Sequence, residues 1–169
     1  MKKNSIVCIG SRFFSNLDIS ETAQEEQFDE IIYDRSIENL KIPEGEKYIK
    51  ETIVLSVPSK IFINIGDLDI EAENFNSDVF ISKYEWMLFS IHNTLPNSRI
   101  YIVSVVSNNP KTKDLNQKLK DLAAQTGCDY VNICKGNKTE PTSREVFAVL
   151  KQSMRKFPIG FSDAMGYSA

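Results

Sequence analysis

The chain has 169 residues, of which 41% are hydrophobic and 25% charged, and its 20 basic side chains face 23 acidic ones. A chain of that size holds one domain with a full core, without help from disulfides or metal. The formal charge of -3 gives no strong positive field, which argues against nucleic acid or an anionic membrane as partner.

The N-terminus, MKKNSIVCIG, has two lysines and only a short apolar run, so it does not read as a signal peptide. No apolar run approaches the roughly 20 residues of a membrane helix, and the expected location is cytoplasmic. That run, SIVCIG over residues 5–10, is the first of five β-branched stretches. The others are EIIY at 30–33, KIFINIG at 60–66, RIYIVSVV at 99–106 and DYVNIC at 129–134. They are nearly continuously apolar rather than alternating, which predicts parallel strands covered on both faces.

The segments between them carry helical spacing. DISETAQEEQF predicts a short polar helix, and EGEKYIKETIVLSVPSK a longer one before the third strand. Ile81, Tyr84, Leu88, Ile91 and Leu95 form one apolar stripe, stopped by Pro96. Leu115, Leu119 and Leu122 form the next, ended by Gly127 at a C′-like position. The last helix lies in PTSREVFAVLKQSMRKF, with Val146, Leu150 and Phe157 on one side. The prediction is one three-layer α/β/α sandwich over 1–157 around a five-stranded, mostly parallel sheet. A tail at 158–169 is either docked or disordered. Cys8, Cys128 and Cys134 have no C-x-x-C spacing and read as small buried hydrophobes.

Ligands of such sheets bind beyond the carboxyl ends of the strands, near the point where strand order reverses. The residues there are Gly10-Ser11-Arg12, Asp34-Arg35-Ser36, Gly66-Asp67-Leu68-Asp69, Ser107-Asn108-Asn109, and the loop from Cys134 to Glu140. No metal or cofactor motif is present: there is no G-x-G-x-x-G and no P-loop. A phosphorylated receiver domain would need an acidic pair after the first strand, and IGSR has none.

In element order and in local wording the chain resembles the SGNH (GDSL-type) hydrolases over nearly its whole length. FISKYEWMLFSIHNTLPNSRIYIVSV and LNQKLKDLAAQTGCDYVNI, with Asn116, carry the likeness. The resemblance implies the flavodoxin-like fold of that family. It also implies acyl-ester hydrolysis by a serine in G-D-S, a histidine base, an orienting aspartate, and an oxyanion hole. The hole uses the serine amide, a glycine after strand two and an asparagine after strand three.

Matched position by position, the chemistry is missing. IGSRFF keeps Gly10 but has Arg12 at the nucleophile, with Ser11 one residue away. Ser36 stands where the oxyanion glycine should be, and Leu68 replaces the asparagine of G-x-N-D. Lys138 and Pro141 fall at the aspartate and histidine of the final motif. The one histidine, His92, lies near the C-terminal end of the helix before strand four, where it reads as a surface residue favouring that helix end. Gly66 and Asp69 read as turn residues, which leaves Asp67 as an acid without a structural role.

Two readings follow. In one, the chain is a binding or interaction module that kept the sandwich and lost the triad, with a small molecule or a protein as its partner. In the other, a rebuilt acyl-ester or carbohydrate-ester hydrolase works around Ser11, Arg12 and Asp67, with Lys138 and Glu140 on the rim. Basic neighbours are expected to lower the Asp67 pKa and weaken it as a base.

Overall fold

The computed structural model describes residues 5–53, 55–134 and 140–155. Lys138, Phe157 and the tail at 158–169 lie outside them.

Five parallel strands, β1 (Ile6–Gly10), β2 (Ile32–Asp34), β3 (Lys60–Asn64), β4 (Arg99–Val103) and β5 (Asp129–Val131), form one sheet in the order β2-β1-β3-β4-β5. They pair in register, with Ile6 beside Lys60 and Gly10 beside Asn64. Every strand is parallel to its neighbours, in line with the parallel sheet expected from sequence. The helices are α1 (Arg12–Ser15), α2 (Ile19–Glu25), α3 (Ile42–Ile53), α4 (Ser77–Thr94), α5 (Thr112–Thr126) and α6 (Ser143–Met154). A 3₁₀ turn spans Asp69–Glu71. The strands end earlier than the apolar runs suggest: the apolar residues beyond Val103 and Val131 are buried but leave the ladder.

The period of two splits each strand between two cores. Val7, Ile9, Ile61, Ile63, Ile100 and Ile102 face α3, α4 and α5, where Ile49, Ile53, Tyr84, Leu88 and Leu119 are buried. Ile6, Cys8, Phe62, Tyr101 and Val131 face α1, α2 and α6 through Phe14, Ile19, Phe147 and Leu150. Phe62 and Tyr101 stack with centroids 4.4 Å apart. Cys8 and Cys128 are buried and Cys134 half-buried, all as free thiols.

The starts of α4 and α6 and the end of α5 follow their local sequence. Asn76 caps α4 by accepting from the Val79 N–H at 3.0 Å, and Thr142 caps α6 through the Glu145 N–H at 3.2 Å. Gly127 ends α5 at φ +72°, the left-handed conformation that glycine adopts without a Cβ penalty. The buried Lys60 donates to the carbonyls of Ser153 and Met154 at the end of α6. Among the described residues no helix is long and apolar enough to cross a membrane.

The order 2-1-3-4-5 places the reversal between β1 and β3. The loops after these two strands, Gly10–Arg12 and Gly66–Asp69, therefore stand side by side at the carboxyl edge.

Candidate functional site

Gly10 ends β1 because α1 folds back directly over it. A Cβ there would lie 2.4 Å from Phe14 Cβ and 2.9 Å from the Asn64 carbonyl. The next residue, Ser11, is wholly buried; its N–H donates to the Asn64 carbonyl at 3.0 Å, and its Oγ has no partner among the described residues. Asn64, which the sequence reading passed over, is buried as well. Its Nδ2 donates to the Ser104 carbonyl at 2.8 Å, tying β3 to β4, while its Oδ1 is unpartnered.

The neighbouring loop turns at Gly66, whose φ of +138° is accessible only to glycine. Its two acids then point to different helices. Asp67 Oδ2 accepts from the Phe13 N–H at 2.8 Å, in the first turn of α1. Ser11, the N-cap residue of α1, makes no side-chain cap of its own, so Asp67 caps that helix from another loop. Asp69 accepts from the Ile42 N–H with both oxygens, at 3.0 and 3.3 Å, and caps α3 in the same way. Asp67 thus has a structural role, contrary to the expectation from sequence. A cap supplied across the fold leaves no local pattern.

Both carboxyls titrate above their ordinary range. Burial pushes Asp69 up to about 6, against the hydrogen bond from Ile42 and the charge of Lys41. Burial likewise raises Asp67, with the hydrogen bond from Phe13 and the charge of Arg12 opposing it. The direction at Asp67 is opposite to that expected from its basic neighbour. Arg12 instead turns to Glu71, with which it makes two bonds of 3.2 and 3.3 Å.

That ion pair partitions the rim. On one side Arg12 and Glu71 join Glu38, Lys41 and Leu68 around a groove of about 680 Å³. On the other they close a cavity of about 420 Å³ with Phe13, Asp67, Asn108 and Glu140. Ser11 and Ser36 line neither.

No family model matches the sequence, and no curated protein matches it. Solved structures do. A GDSL-like lipase from Bacteroides thetaiotaomicron VPI-5482 superposes with a TM-score of 0.73 at 16% identity, over 89% of this chain and 87% of that one. The psychrotrophic esterase EstA from Pseudoalteromonas sp. gives 0.73 at 12%, over 91% of this chain and 100% of that one. The fold is that of the GDSL-type hydrolases. The periplasmic domain of the Salmonella ser. Paratyphi A lipopolysaccharide acetyltransferase gives 0.68 at 15%, over 92% of this chain and 85% of that one. Identities this low establish the architecture and leave the chemistry to the residues.

Ser36 and Leu68, which the family resemblance leads one to expect at oxyanion positions, have these surroundings. The Ser36 N–H donates to Asp34 Oδ1 at 3.1 Å in a local turn. Leu68 is buried and has no polar side-chain atom. Pro141, set against the family histidine by the sequence comparison, is buried too.

His92 belongs to the opposite edge of the sheet, beside Arg99 and Asp129 where β4 and β5 begin. Its Nε2 lies 3.6 Å from Cys128 Sγ. Burial and then Arg99 lower its pKa, so at neutral pH it is uncharged. It is half-buried in the last turn of α4, near the helix end where the sequence places it. Among the described residues no three His, Cys, Asp or Glu side chains converge to hold a metal ion.

Proposed function

We propose that this chain is a binding module built on the GDSL hydrolase fold, without serine-esterase activity. The observation that carries the reading is Ser11, the one serine beside the nucleophile position. It is wholly buried, with an unpartnered Oγ and an amide given to Asn64. A serine hydroxyl is a weak nucleophile until a base is seated on it, and the histidine of this chain stands at the far edge of the sheet. The ligand site of the module is the rim formed by Arg12, Asp67, Leu68, Asn108 and Glu140, and its partner is a small molecule or a segment of another protein.

A fluorophosphonate probe and p-nitrophenyl acetate test this directly. The expected result is no labelling and no turnover above the buffer rate. Labelling that Ser11→Ala abolishes would refute the reading.

One observation favours a second reading. Burial raises the Asp67 pKa, which brings it toward the range useful to a general base. An ester hydrolase rebuilt around Arg12 and Asp67 would then turn over without labelling at Ser11 and lose activity on Asp67→Asn. Against it, one oxygen of Asp67 is already held by the Phe13 N–H.

A further inference from the structure

Helix α4 lies between α3 and α5 in its layer, and it turns aromatic side chains outward. Val79, Ser82, Trp86, Phe89 and Asn93 form its exposed stripe, at the spacing that lines one face of a helix. Val79, Trp86 and Phe89 are 51%, 60% and 56% exposed. The Trp86 and Phe89 rings stack with centroids 5.8 Å apart. Single apolar residues on a surface are ordinary, but neighbouring aromatic rings left open on one ridge mark a contact surface.

The ridge is fixed in place and has a groove beside it. Trp86 Nε1 donates to Glu46 Oε2 of α3 at 3.0 Å, and Ser90 Oγ donates to the other oxygen of Glu46 at 2.9 Å. The indole therefore leans toward α3 and is ordered before any partner arrives. Toward α5, Leu88, Phe89, His92 and Thr126 border a groove of about 480 Å³. Ridge and groove thus occupy opposite flanks of one helix. At about 100° per residue, so do two charges. Lys83 falls on the flank of Met87, which packs beside Gly45 of α3, and Glu85 lines the groove. Neither forms an ion pair among the described residues.

A surface with a ridge on one flank and a groove on the other is complementary to itself. A two-fold axis running along α4 sets the α3 flank of one copy against the α5 flank of the second. Trp86 then enters the groove beside Phe89 of the other copy, and Lys83 faces Glu85 across the contact, in both directions. The antiparallel arrangement sets ridge against ridge and Lys83 against Lys83, which the charges oppose. We infer that the chain forms a parallel two-fold dimer through the outward face of α4, with Trp86 of each copy seated in the α4–α5 groove of the other. The stripe leaves on the order of 300 Å² open per copy, against roughly 800 Å² in a standard interface, so the dimer is weak, with a Kd of about 10–100 µM. It does not depend on whether the loops at the carboxyl edge bind or hydrolyse.

The experiment is sedimentation of the full chain from about 2 to 500 µM, with the fluorescence of Trp86, the one tryptophan, read on the same samples. The expected result is a monomer–dimer equilibrium in which emission shifts to the blue and acrylamide quenching falls as the dimer forms. Phe89→Ser, at a position exposed in the monomer, should weaken association about tenfold or more. Lys83→Glu should weaken it about threefold, and adding Glu85→Lys to that variant should restore it. The inference is overturned if the chain stays monomeric throughout, if it forms larger assemblies instead, or if it associates with no change at Trp86. It is equally overturned if Phe89→Ser associates like wild type, or if the double reversal does not recover what Lys83→Glu loses. Should Phe89→Ser fail to fold, the charge pair decides.

Discussion

Replacing Asp69 by Asn separates the two properties of its carboxyl. The side chain is 8% exposed and accepts from the Ile42 N–H at 3.0 and 3.3 Å. An amide oxygen in the same place still accepts that bond, so the substitution removes ionisation and little else. Burial raises the folded pKa from 3.8 to about 6, and the neighbouring Asp67 adds in the same direction. A folded pKa above the unfolded one means that the native state holds the proton more tightly. The resulting stabilisation is complete below about pH 3.8 and is lost as pH rises through about 6. At about 1.36 kcal/mol per unit the loss is on the order of 3 kcal/mol. Asp69→Asn has no such titration. It should match wild type near pH 4 and exceed it by on the order of 1–3 kcal/mol near pH 7.5. Urea unfolding at several pH values, with the slopes compared to confirm an unchanged transition, measures this. A variant that is less stable than wild type near neutral pH, with the same pH dependence, would refute the reasoning. It would mean that attraction between the carboxylate and the α3 N-terminus outweighs burial.

Gly66→Ala should lower the urea midpoint strongly. It combines φ +138° with a Cβ 2.8 Å from Val105 Cγ2, and backbone strain alone costs on the order of 1–3 kcal/mol. Gly127→Ala, at φ +72° with open space around it, should cost less in the same assay. Asn116 bonds both the Val105 N–H, at 2.7 Å, and the Val105 carbonyl, at 2.9 Å. Its replacement by Ala should cost on the order of 2 kcal/mol and speed hydrogen exchange at the Val105 amide.

The sheet was legible because its signal is local. Runs such as IVCIG and KIFIN are apolar on both faces, and that alone predicts strands buried between helix layers. The helix stripes were legible for the same reason, with Tyr84, Leu88 and Ile91 buried on the predicted face of α4. Strand ends were less so, because residues such as Val105 and Ile133 are buried without a ladder partner and look no different in sequence. For the candidate site, the sequence offered the strand-end loops and a family pattern against which Leu68 and Ser36 could be set. What Asp67 and Asp69 do was hidden, since their partners lie 54 and 27 residues away. The burial that raises their pKa values comes from packing of the whole rim, and no motif records it. Nor did anything near Ser11 announce that it would be sealed from solvent.

The capping of α1 by Asp67 and of α3 by Asp69 also ties the carboxyl edge of the sheet into one unit. The loop therefore acts as a rivet: two acids from one turn hold the starts of two helices, so the turn and both helix ends open together or not at all.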